Sequence, residues 1–283
     1  MNTMGTVRAG LALLRTTSVH PYCKESVRMV FKKLLGALGV GGPGVDTVLS
    51  TPVVQPGGTL HGTVELTGGT VEADIRGITL TLVARVEIEH EEGESTGLYP
   101  FARFSVTAPL VLAPGENRSI PFAVPVPWET PVTVVAGQRL HGMQLGVRTE
   151  VDIAGALDKG DSDPLEVEPL PVQHRILDTL LQLGFRFRSA DLEAGRIRGT
   201  GQTLPFYQEI EFSSAPQYAH SCNSLEVSFV TTQNRVEVVL EADKRGGLFG
   251  HGGGDVIRTH VVEHGQADQD LTALVDGWIR AAL

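Results

Sequence analysis

Ser119-Ile120-Pro121-Phe122-Ala123-Val124-Pro125-Val126-Pro127-Trp128-Glu129-Thr130-Pro131-Val132-Thr133 is the stretch whose reading decides the fold. Ile120, Phe122, Val124 and Val126 fall on one side of an extended chain, the two-residue period of a strand. Prolines at 121, 125 and 127 remove three backbone donors, so this strand can only border a sheet. A turn over 128–131 leads on to 146–157, where Val147, Thr149, Val151, Ile153 and Gly155 alternate with mostly polar neighbours. A proline-broken border strand followed by a long alternating one points to an antiparallel, two-layered architecture.

Working outward, the same period recurs. Upstream, 46–52 and 59–66 read as strands around a Gln55-Pro56-Gly57-Gly58 turn, and Ile78, Leu80, Leu82, Ala84, Val86 and Ile88 alternate without a break. Further strands at 101–106 and 110–112, spaced by Pro and Gly turns, make a β-sandwich the most economical account. Downstream, 158–171 carries five acids and three prolines and marks a domain boundary. Val172, Ile176, Leu177, Leu180, Leu181 and Leu183 then trace a helix of about three turns that starts after Pro171 and stops at Gly184. A second strand series follows: Leu183-Phe185-Phe187, 209–212, 225–229, 236–240 and 255–262. Leu271, Leu274, Val275, Trp278 and Ile279 close the chain as a helix, with Asp268 or Asp270 as its N-cap and a stripe that needs a groove to cover it.

The expected organisation is all-β: two tandem sandwiches at 29–160 and 183–283, an acidic linker and helix at 161–182, and short helices at both ends. Residues 1–28 look unlike the rest and read as a disordered leader or upstream extension. From Met29, Phe31, Leu34, Leu35 and Leu38 recur at helical spacing.

Composition narrows the function. The 283 residues carry 23 basic and 33 acidic side chains, a formal charge of −10, which repels phosphate backbones, so nucleic acid is not an expected partner. No run approaches the roughly 20 apolar residues of a membrane helix, so integral membrane association is not expected. Cys23 and Cys222 are the only cysteines, which fits a reducing, cytoplasmic setting.

Catalytic motifs have the wrong context. Gly39-Val40-Gly41-Gly42-Pro43-Gly44 has dinucleotide-loop spacing but lies between a helix and a strand, the reverse of what the pyrophosphate needs. Gly93-Glu94-Ser95-Thr96-Gly97 has the nucleophile-elbow pattern without a following helix. A hydrolase or ligand-binding sandwich using 87–97 is therefore the alternative reading and not the first. The nine histidines are scattered, and His260 and His264, four apart on a strand, stand roughly 13 Å from each other. No metal, cofactor or catalytic residue is expected.

The residues singled out for partner binding are Arg186, Arg188, Arg196, Arg198 and Phe249. Arg186 and Arg188 alternate with Phe185 and Phe187, and Arg196 and Arg198 straddle Ile197, which puts a local basic face on an acidic protein. Guanidinium forks pair with carboxylates, either Asp191, Glu193 and the acidic stretch of this chain or those of a docking protein. Phe249 stands in the glycine-rich loop 244–254.

Several segments together carry a family resemblance: Met29-Val30-Phe31-Lys32-Lys33-Leu34-Leu35, Gln55-Pro56-Gly57-Gly58, 119–127, Leu183-Gly184-Phe185-Arg186-Phe187-Arg188, and Leu204-Pro205-Phe206-Tyr207-Gln208-Glu209-Ile210-Glu211-Phe212. In this order they resemble the bacterial sporulation-control family, stage-zero sporulation protein M, from about Met29 to the C-terminus. The resemblance implies arrestin-like sandwiches, a cytoplasmic protein without known catalysis, and regulation of sporulation or cell division through protein contacts. The 120–126 border, or one in the second domain, is expected to take up a partner strand, and exposed borders of this kind also favour self-association as a homodimer.

Overall fold

The computed structural model describes residues 42–50, 53–90, 93–244 and 256–283. The leader 1–28, Cys23, the helix expected from Met29 and the loop tip with Phe249 lie outside the described residues. The strands of the first half are β1 (Gly44–Leu49), β2 (Val53–Val54), β3 (Thr59–Thr67), β4 (Ala73–His90), β5 (Gly93–Thr107), β6 (Leu110–Leu112), β7 (Asn117–Pro125), β8 (Val134–Val135), β9 (Gln138–Arg139), β10 (Leu145–Ile153), β11 (Lys159–Pro164) and β12 (Glu166–Val167). Helix α1 (Pro171–Gln182) leads into β13 (Arg186–Ala194), β14 (Phe206–Ser213), β15 (Cys222–Thr231), β16 (Arg235–Lys244) and β17 (Val256–Glu263). A single 3₁₀ turn (His264–Gln266) precedes helix α2 (Thr272–Ala282).

The prolines of β7 do what their missing donors require. The strand order β1-β3-β7 leaves β7 at the border, with Pro121 and Pro125 opposite Thr63 and Thr59. Facing this small sheet, β10 buries Leu145, Val147, Thr149, Val151 and Ile153 and leaves the residues between them at least half-exposed. It pairs antiparallel with β4, which also carries the long hairpin partner β5. The two sheets enclose Leu60, Val64, Leu66, Leu80, Leu82, Phe122 and Val124, each such side chain contributing about 2 kcal/mol by leaving water. The open side of β1 is clasped to β11, where the Thr47 amide donates to Asp161 at 2.7 Å and the Thr47 and Thr149 hydroxyls meet at 2.6 Å.

The acidic stretch expected as a linker is built into this first half. Lys159–Pro164 pairs along β10, and Leu165 and Val167 are buried in the same core. All six residues of β11 are half-exposed, so the in-and-out alternation that marks a strand in sequence is absent there.

In the second half, β13 to β17 pair antiparallel in chain order, and a single parallel bridge, Glu193 to Glu87, joins them to β4 in one ten-stranded sheet. Four of the strands expected here are present, the one expected over 183–187 begins only at Arg186 because Leu183 and Gly184 end α1, and the chain is mostly β. The layer opposite them is helical: Val172, Ile176, Leu177 and Leu180 of α1 and Val275, Trp278 and Ile279 of α2 close the second core. Both helices carry an apolar stripe that only a sheet face of this width can cover. Pro171 begins α1, and the Leu170 amide donates to Gln173 Oε1 at 2.8 Å, while Gly184 ends it at a φ of 94°. At α2, Asp270 accepts from Thr272, whose side chain first and backbone amide second hold its carboxyl below the usual range. Among the described residues no helix is long and apolar enough to cross a membrane.

The two halves are sewn together. Leu192 and Phe206 belong to the first core, whereas their strand neighbours Ala190 and Ile210 belong to the second. Glu129 accepts from the Thr203 and Leu204 amides, and the Gln208 side chain brackets both the N–H and the carbonyl of Val132. Trp128 stacks on His264 across the seam and lies so close over Gly57 that a Cβ there would stand 2.4 Å from its ring.

Candidate interaction surface

Because α1 and α2 cover one face of the second sheet, the other face carries the polar chemistry. Alternation along β14, β15 and β16 turns Glu209, Glu211, Glu226 and Glu241 to this outer side. Strand register then lines three of them up: Glu211 stands opposite Glu226, and Glu226 opposite Glu241. Glu241 in turn stands opposite Ile257 on β17, the last strand of the sheet. Like charges placed directly opposite one another on a sheet are destabilising, so this row is held against its own repulsion.

Glu209, Glu226 and Glu241 are half-buried and bring carboxylate oxygens within 4.8 Å of one another. Burial, followed by the charges of Glu226, Asp191, Glu193 and Glu241, pushes the Glu209 carboxyl up to about 8. Burial and the same ring of carboxylates push the neighbouring Tyr207 phenol far above its ordinary value. A shallow cavity of about 230 Å³ opens over the cluster, bounded by the loop residues Arg196 and Arg198 on one side and by Ile257 on the other.

The arginines expected to form one basic face are divided among separate tasks. Phe187, expected inside, stands opposite the buried Phe212 and meets its ring edge-on, yet it is 38% exposed, and a bulge follows it between Phe187 and Ser189. Arg188 pairs with Glu211 at 2.7 Å, and Ser189 donates to the same carboxylate. Arg186 is exposed on the same strand. Arg196 donates to the carbonyls of Gln202 and Thr203, which pins its loop, while Arg198 is exposed at the rim of the cavity. Phe249 lies outside the described residues.

Other candidates come apart. Ser95 is not on an elbow: 93–97 continues a ladder in which Ser95 faces Ile88 and Gly97 faces Val86. His260 stacks on Trp278 with its Nε2 buried and unpartnered among the described residues, whereas His264 stacks on Trp128 and contacts the Thr232 carbonyl through its Nε2. Burial, then the charge of Arg258, lowers the His260 pKa.

Sequence reasoning missed the carboxylate row. Each member is an ordinary outward residue of its own strand, and only the register of two pairings, β14 with β15 and β15 with β16, makes them neighbours.

Comparison with known proteins agrees with this architecture. The Spo0M family model, described as SpoOM protein, matches residues 31–246. The sporulation-control protein Spo0M of Bacillus subtilis (strain 168) is 35% identical over 216 residues, which is 76% of this chain and 81% of that protein. The chain belongs to the Spo0M family. The crystal structure of Spo0M from Bacillus subtilis superposes with a TM-score of 0.75 at 27% identity, covering 86% of this chain and all of the other. The family-model span takes in the first core and the carboxylate row and ends before β17 and α2, and the mostly-β architecture is that of a Spo0M protein.

Proposed function

We propose that this chain is a regulatory adaptor without catalysis of its own, acting in the cytoplasm through contacts with other proteins in the control of sporulation or cell development. Its Bacillus subtilis relative bears the name of a sporulation-control protein. The observation that carries the adaptor reading is the open border at β17: the strand ends the sheet order, and Ile257 and Val261 on it are 47% and 55% exposed. A border of this kind binds by backbone pairing, with specificity from flanking charge. Occupancy and positioning of a partner would be the whole mechanism.

The test is made in the native cell. A strain lacking the protein is complemented with the wild-type chain or with Ile257→Lys, and sporulation timing and site-specific crosslinks from Thr259 are followed. The adaptor reading expects altered timing in the null strain, rescue by wild type, and loss of both rescue and crosslinks in Ile257→Lys. Full rescue by Ile257→Lys would remove β17 from the mechanism.

A further inference from the structure

Among the longer strands described, the borders other than β17 are protected: β5, which pairs only with β4, is interrupted by Gly97 and Pro100. β7 carries Pro121 and Pro125, β1 is clasped to β11 through Thr47 and Asp161, and β11 is short and ends in Pro164. β17 has none of these devices. Its sequence, Val-Ile-Arg-Thr-His-Val-Val-Glu, contains no proline, glycine or lysine and is rich in β-branched residues, and no described strand pairs with its far side. Beneath it, His260 and Val262 turn toward α2, which holds the strand flat against its own core.

What could pair there is decided by charge. A strand added beyond β17 would place its outward side chains next to Ile257 and Thr259, about 10 Å, or two strand spacings, from β16. Glu241 and Glu226 lie along that line, in the row that ends at Ile257. A lysine or arginine laid over Ile257 would rest its apolar stem on that side chain and bring its charge to the carboxylates. A second copy of this chain would instead set an identical acidic row beside the first, and each copy carries a formal charge of −10. Repulsion therefore disfavours self-pairing at this border.

We infer that the β17 border and the adjoining carboxylate row form a docking site for an extended, cationic partner strand in which Lys or Arg alternates with apolar residues. This deepens the adaptor reading and rests on it. The carboxylates near the incoming charge include Glu209, Glu226 and Glu241, with Asp191 and Glu193 beyond them, and Arg196, Arg198 and Tyr207 form the opposite rim. A cation entering the cluster favours the charged form of Glu209, so docking releases protons between about pH 6 and 8.

The experiment is titration calorimetry on the full chain in two buffers of different ionisation enthalpy, with an acetylated octapeptide alternating Val and Lys as the probe. Its controls are the same peptide with Glu for Lys, and the Val-Lys peptide N-methylated at alternate amides. The Val-Lys peptide should bind with proton release. Glu241→Gln should bind the original probe about tenfold more weakly, the factor expected for one lost charge-assisted hydrogen bond, and both control peptides, which lose several interactions, should bind at least tenfold more weakly. Failure of the probe to bind, equal binding of either control, or no effect of Glu241→Gln would overturn the inference. So would a concentration-dependent dimer in sedimentation that Ile257→Lys abolishes, since the occupant would then be a second copy. If the probe fails while crosslinks in the cell still depend on Ile257, the adaptor reading stands and only the chemistry of the occupant is refuted.

Discussion

The two halves hide their apolar faces in different ways. In the first, sheet covers sheet: β3 and β7 lie over β4 and β10, the borders are blocked or clasped, and alternating residues fill the space between. In the second, one sheet lies under two helices, and its other face and last strand are open to the surroundings. Closing a core with helices buries one sheet face as well as a second sheet does. It does not shield the opposite face, and that is where Glu209, Glu226 and Glu241 converge.

If the halves are nonetheless one folding unit, Phe206 is where to break them. It stands on a strand of the second sheet, is buried in the first core, and meets Tyr99 and Phe101 edge-on at 6.4 and 5.8 Å. Phe206→Ala should lower stability by about 3–5 kcal/mol in chemical denaturation. Hydrogen exchange should then accelerate in β4 and β5 as well as in β14. Acceleration confined to β13–β17 would show that the seam does not couple the two cores.

The open face should reveal itself through pH. Glu209 has its pKa raised to about 8 in the folded chain, against about 4.3 in an unfolded one. The folded state thus holds a proton that the unfolded state releases. The stability this contributes is complete below about pH 4 and is lost as pH rises toward 8. Melting temperature should fall between pH 5 and 8, and Glu209→Gln should flatten that fall. An equal slope in the variant would assign the pH dependence elsewhere.

The smallest effect is expected at the arginines. Arg188 reaches Glu211 with 63% of its side chain exposed, so Arg188→Ala should change stability by less than about 1 kcal/mol. Its use is to neutralise one end of the acidic row, and the variant should bind a cationic strand at least as well as the wild type. Weaker binding would make the basic residues, and not the acidic ones, the partner-facing surface.

Much of the fold was legible in the residues. Strict alternation in β4 and β10, prolines in β7 and apolar stripes in α1 and α2 are local patterns, and each dictates its element without reference to the rest. The acidic stretch at 159–164 was harder, because a border strand with every residue half-exposed has no alternation to read. The bulge in β13 likewise leaves no local mark, yet it brings Arg188 and Ser189 together on one carboxylate, Glu211.

By itself, the sequence determined most of the strands and both described helices, which strand must stand at a border, and the family to which the chain belongs, because periodicity and missing donors act over a few residues. Only the tertiary structure decided that helices and not a second sheet close the second core, and that carboxylates from three strands meet beside an open border. Both depend on pairing register between segments far apart in the chain, which no local pattern encodes.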